Sequence, residues 1–153
     1  VNVEAALNHD LLQGAAGAVL RDDKGRFIVG GNWRIDWCDD VLTAEVLALK
    51  FGLFLAQKAG CNRLVVNSDN MYVIDVMKNG GHSAGAAAAV FNDCYFLACD
   101  FPIVKFEHCN REANRVAHEI ARLAKISATR DWFEEPMKDI VPLLMDEVTI
   151  ISN

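Results

Sequence analysis

A mixed α/β domain, with antiparallel and parallel strands in one sheet and helices on its faces, is predicted by three features of this sequence. A turn signal at Asp22-Asp23-Lys24-Gly25 joins two apolar runs, so the first strands form an antiparallel meander. Two later strand-like runs, 63–68 and 103–108, each follow a helix-like stretch, as parallel strands require. The 153 residues are enough for one domain with a substantial core.

The opening run, rich in Val, Ala and Leu, reads as a buried strand to about Asn8, followed by a polar loop through Gly14. Residues 15–20 and 26–33 are the next two strands, with Gly25 at the turn position that wants φ > 0. Asp39 or Asp40 caps a helix that ends near Gly60. Its face through Glu45, Ala48, Leu49, Gly52 and Ala56 is small and apolar apart from the one Glu, and Ala48 and Gly52 permit close approach to a sheet. Residues 63–68 form the fourth strand, and Ser68 or Asp69 starts a helix to about Lys78. Gly80 and Gly81 break the chain before an Ala-rich helix over 86–99. The clean alternation in 103–108 is a fifth strand, and 111–125 is a helix with Val116, Ala117, Ile120, Ala121 and Leu123 as its apolar side. The stretch from 128 onward, with Trp132, Phe133, Pro136, Ile140, Pro142, Leu143 and Leu144, reads as an irregular or partly helical tail.

A net charge of −6 argues against affinity built on a generally basic surface, because nonspecific nucleic-acid binding is mostly phosphate neutralisation. Any nucleic-acid contact must rest on a local basic strip or on bound cations. Five cysteines without a CxxC pair read as reduced thiols, placing the chain in the cytoplasm or nucleus. No uninterrupted apolar run reaches the length of a membrane span, and no basic n-region marks a signal peptide. The chain starts already within a strand pattern, which suggests a domain excised from a longer protein.

Three acidic residues stand in apolar runs: Glu4 in the first strand, Glu45 in the first long helix and Asp69 at the end of the fourth strand. A carboxylate in apolar surroundings is costly unless its charge is compensated. Three converging on one point are best compensated by divalent metal, and two-metal sites cleave phosphodiesters. Each also has a plainer reading. Glu4 can be an edge-strand carboxylate facing water, Glu45 an exposed first-turn Glu complementing the helix dipole, and Asp69 an N-cap. Arg111, Arg115, His118 and Arg122 share one helix face, as a phosphate-binding strip or a solvated face paired with Glu112 and Glu119.

Four segments together sharpen the reading: Gly17-Ala18-Val19-Leu20-Arg21-Asp22 with Gly25-Arg26-Phe27, then Thr43-Ala44-Glu45-Val46-Leu47-Ala48-Leu49, then Val66-Asn67-Ser68-Asp69, then the stretch from Arg111 to Arg122. In this order and spacing the chain resembles plant reverse-transcriptase-like ribonuclease H domains over about residues 1–125. The resemblance implies a ribonuclease H-like fold, a five-stranded mixed sheet (antiparallel meander plus two parallel strands) flanked by helices. It implies a domain over 1–127, with 128–153 an apolar extension packed on it or on a partner. Carried over, the catalytic positions are Glu4, Glu45, Asp69 and His118, of which Glu4, Glu45 and Asp69 are metal ligands. The resemblance also implies two Mg²⁺ or Mn²⁺ ions bound together with substrate, and Arg111, Asn114 and Arg115 as substrate-binding residues. Two positions depart from the pattern. The first strand of such domains offers Asp where this chain has Glu4, and the last helix more often offers Asp where this chain has His118, although His is common in the plant group. With His118 neutral the tetrad carries −3 rather than −4. The extra methylene of Glu4 bears on the bridging ligand, where an error near 1 Å lowers rates about 100-fold, so reduced or lost activity is expected.

Two functions follow. One is metal-dependent hydrolysis of the RNA strand of RNA–DNA hybrids. The other is a catalytically degenerate ribonuclease-like module of a larger plant protein, binding a protein partner through the C-terminal extension. The stretch from Asn79 to Ala89, where some bacterial relatives carry a basic substrate-holding protrusion, is here Gly- and Ala-rich.

Overall fold

Val1, Val3 and Ala5 alternate with polar neighbours and are all buried, which makes the first strand, β1 (Asn2–Asn8), the middle of the molecule rather than an edge. The structure is a computed structural model and describes residues 1–8, 13–38, 40–124 and 130–133. β1 pairs antiparallel with β2 (Gln13–Arg21), and β2 with β3 (Phe27–Ile35), around the expected hairpin with Gly25 at φ 77°. On its other side β1 runs parallel to β4 (Arg63–Ser68), which runs parallel to β5 (Ile103–His108). The five-stranded mixed sheet expected from the sequence is therefore present.

A sixth strand, β6 (Arg130–Phe133), pairs antiparallel with β3, so the sheet order is β5-β4-β1-β2-β3-β6. This corrects the expectation of an irregular or partly helical tail for these four residues. β3 would otherwise be an open edge, and pairing satisfies its outward backbone groups. Pro136, Ile140, Pro142, Leu143 and Leu144 lie outside the described residues.

Helix α1 (Val41–Lys58) packs on one face of β1 and β2, and helix α4 (Arg115–Ala124) lies against β1, β2 and β3. The core between α1 and the sheet includes Val3, Ala18, Leu49, Leu53 and Val66, all fully or almost fully buried. Val116 and Ala117 anchor the buried side of α4. Helix α2 (Met71–Lys78) lies beside β4 and β5, and helix α3 (Ala88–Cys99) packs against α1 and α2. Among the described residues no helix is long and apolar enough to cross a membrane, and the cysteines are free thiols.

The close approach of α1 to β1 depends on Gly52. A Cβ there would collide with Val3 Cγ1, and Val3 is fully buried. Ala would gain about 1 kcal/mol of helix propensity, but overpacking a filled core costs about 1–3 kcal/mol. Gly52→Ala is therefore expected to lower the melting temperature, and Gly52→Leu to lower it much further. A thermal melt in which Gly52→Ala gains stability would show that α1 can back away from the sheet.

Two element starts differ from the sequence expectation, and both matter for the site. α2 begins at Met71 with Asn70 as its cap, not Ser68 or Asp69. The expected helix over 111–125 is divided into a 3₁₀ turn, Glu112–Asn114, and α4. The Asn110 side chain accepts from the Ala113 N–H at 2.8 Å, and the Asn114 side chain is tied to β1.

Candidate metal centre

Three elements deliver the three carboxylates. Glu4 projects from β1 toward the start of α4, Glu45 comes from the second turn of α1, and Asp69 follows the last residue of β4. One oxygen from each lies within 4.8 Å of the others. Glu4 and Glu45 are each only 6% exposed. The water-facing readings of both residues are thereby excluded. The three carboxylates line a cleft of about 330 Å³ together with Val41, Asn70, His108, Asn110 and Arg111.

Local chemistry sets each position. Asp40 caps α1, accepting from the Thr43 N–H at 2.7 Å and the Thr43 hydroxyl at 2.6 Å, and this start turns Glu45 inward. Asn70 caps α2 by accepting from the Val73 N–H at 3.1 Å, while its own N–H donates to Ser68 Oγ at 3.1 Å. Asp69 is thus released from capping. The carbonyl of Asp69 lies 3.1 Å from His108 Nε2, which joins the end of β4 to the end of β5.

The electrostatics are those of crowded, dehydrated anions. The Glu45 carboxyl is pushed up to about 9, first by burial and then by the charges of Glu4 and Asp69; the Ala5 N–H, which donates to it, opposes this. Glu4 is pushed up to about 7 by burial and by Asp69, opposed by a hydrogen bond from Asn114. Glu45 Oε2 is buried and has no hydrogen-bond partner. An acceptor in that state calls for a proton or a cation. An all-oxygen donor set suits hard divalent cations such as Mg²⁺ or Mn²⁺, so the residues fit the ions that the resemblance implies.

The other expected site residues fall at different distances from this point. His118 is half exposed, with Nδ1 3.8 Å from Glu4 Oε1, and stands beside Glu4 rather than among the three clustered oxygens. Arg111 is 87% exposed and brings Nε to 3.5 Å from Asp69 Oδ2. Arg115 is exposed. Arg122 binds Glu119 on its own helix at 2.9 and 3.0 Å, so the basic strip is divided between site and surface pairing. Asn114, expected to contact substrate, is wholly buried, and its amide donates to Val3 O at 2.8 Å and to Glu4 Oε2 at 3.0 Å.

Sequence reasoning missed Asn2, whose amide donates to Asn114 Oδ1 at 3.1 Å and to Ala113 O at 3.3 Å. The available signal was strand alternation, which puts Asn2 and Glu4 on the same face of β1.

The reverse transcriptase-like family matches residues 2–124. An Arabidopsis thaliana protein provisionally named as a ribonuclease H protein is 29% identical over 125 residues, which are 81% of this chain and 20% of that protein. The chain thus spans about a fifth of that relative's length. RNase H1 from the halophilic archaeon Halobacterium salinarum superposes with a TM-score of 0.76 at 20% identity, covering 83% of this chain and 96% of its own. LC11-RNase H1, solved in complex with an RNA/DNA hybrid, gives 0.73 at 19% identity, covering 82% of this chain and 97% of its own.

Proposed function

Since the chain belongs to the reverse transcriptase-like family and has the ribonuclease H fold, we propose that it is a divalent-cation-dependent ribonuclease that cuts the RNA strand of an RNA–DNA hybrid. The observation that carries this reading is the meeting of Glu4, Glu45 and Asp69 within 4.8 Å, two of them buried and one with an orphaned oxygen. Crowding and burying carboxylates at this cost destabilises a fold, and it persists where function requires it. These three side chains would hold the cations, which when bound supply Lewis-acid polarisation of a phosphate and a nucleophile at neutral pH.

The remaining residues orient and bind. Arg111, exposed beside Asp69, offers a phosphate contact at the cleft mouth, and exposed Arg115 extends it along the start of α4. His118 holds an imidazole beside Glu4 where the resemblance places a fourth ligand. The 2′-hydroxyl is the group by which such a site tells RNA from DNA.

A second reading, a degenerate module that binds a protein, is favoured by Glu4 and His118 and by a groove of about 780 Å³ beside β5, lined by Tyr95, Phe101, Ile103 and Phe106. One assay separates the two. With an end-labelled hybrid and Mg²⁺ or Mn²⁺, the chain is expected to cut the RNA strand, to leave duplex DNA intact and to stop on addition of a chelator. Folded protein that cuts nothing with either ion would dismiss the nuclease and leave the binding module.

A further inference from the structure

Glu4 is one methylene longer than the Asp that the resemblance leads one to expect at the first strand, and a longer arm samples more positions unless something holds it. The structure supplies a holder. Asn114 is fully buried, and its amide has both ends engaged in a way that fixes its orientation. The NH₂ group donates to Glu4 Oε2 at 3.0 Å and to the main-chain Val3 O at 2.8 Å. The oxygen accepts from Asn2 Nδ2 at 3.1 Å, and Asn2 is itself anchored to Ala113 O at 3.3 Å. All four groups belong to β1 or to the 3₁₀ turn, so the arm is braced against the strand from which it grows.

We infer that Asn114, braced by Asn2, is a positioning residue that compensates for the length of Glu4: it takes Oε2 as a hydrogen-bond acceptor and so fixes the carboxyl group beside Glu45 and Asp69. The inference rests on the cation-site reading above. Asn is the residue type this task needs. A carboxylate at 114 would repel Glu4 and could not donate to it, and an apolar side chain would leave both Oε2 and the Val3 carbonyl unpaired in a dry place. Groups that hold metal ligands in this way are typically worth about 10–100-fold in metal affinity. The clamp also joins the start of α4 to β1, which keeps the His118 imidazole next to the same carboxylate.

The test is Mn²⁺ affinity by titration calorimetry on folded protein, independent of any cleavage. Asn114→Ala and Asn114→Asp are expected to weaken Mn²⁺ binding about 10–100-fold, and Asn2→Ala by a smaller factor in the same direction. A core truncation two strands away, Val29→Ala, serves as the stability control and is expected to leave affinity within about twofold while lowering the melting temperature. Native affinity in Asn114→Ala, or equal weakening in Val29→Ala, overturns the inference and leaves the nuclease reading intact. If Asn114→Ala does not fold, Asn2→Ala decides by the same criterion. A native chain that binds no Mn²⁺ overturns both.

Discussion

Glu45→Gln is expected to melt at a higher temperature than the native chain at pH 8 without divalent cations, and to gain nothing when they are added. The Glu45 carboxyl is raised from its ordinary 4.5 to about 9 by burial and by its acidic neighbours, and Glu4 from 4.5 to about 7. A raised carboxyl binds its proton more tightly in the folded chain. The stability this contributes is fully present below pH 4.5 and is lost as pH climbs through 7 and then 9. Each unit of that interval is worth about 1.4 kcal/mol, so the penalty at pH 8 is on the order of several kcal/mol. Gln removes the charge, keeps an oxygen for the Ala5 N–H, and puts an NH₂ donor where Oε2 is orphaned. The expected rise is about 5 °C or more. Cations restore the native chain by binding the folded state alone, about 2.7 kcal/mol at a hundredfold excess over Kd. Melts at pH 5 and pH 8, with and without Mg²⁺, check the whole pattern. A variant that melts lower than native at pH 8 without cations would refute the electrostatic account of this site.

Asp69→Asn is expected to reduce hybrid cleavage by on the order of a thousandfold, about 4 kcal/mol of transition-state stabilisation, with little change in fold. Asp69 is not needed to cap α2, because Asn70 does that, and it is the least buried of the three carboxylates. Its removal therefore takes away a ligand charge without dismantling an element. Arg111 would lose its partner at the same time, which turns the guanidinium toward phosphate and keeps hybrid binding at or above the native level. The prediction is a fall in kcat with KM unchanged or lower, measured under multiple turnover. A proportional rise in KM would instead place Asp69 among the residues that bind substrate.

The two outer helices show how far residue patterns carry. α1 was readable from a capping Asp, a small apolar face and a Gly that permits close approach to a sheet, and the structure adds that Asp40 is the cap and that Val3 is what Gly52 approaches. The start of α4 was not. Periodicity alone continues the helix back to Arg111, whereas the chain there forms a 3₁₀ turn through the i→i+3 backbone bonds from the Asn114 N–H to Arg111 O and from the Arg115 N–H to Glu112 O. Asn114, carried over from the resemblance as a substrate contact, is buried against β1, which no local pattern in the sequence signals. Likewise β6 carries no signal stronger than Trp132 and Phe133, and only the vacant edge of β3 makes a strand of it.

Alternation along strands, helix caps and the hairpin Gly determined which segments form which elements, because those preferences act within a few residues of chain. That three carboxylates from β1, α1 and the end of β4 share one point was expected from their apolar sequence surroundings and from a resemblance, but the burial of Glu4 and Glu45, and hence their raised affinity for protons, belongs to the tertiary structure. So does the fate of Glu4. An extra methylene reads as a defect when the side chain is considered alone, and as a fitted length once Asn114 and Asn2 are seen to hold it. Interactions between residues about 110 positions apart, such as Asn114 with Glu4, have no local signature to read.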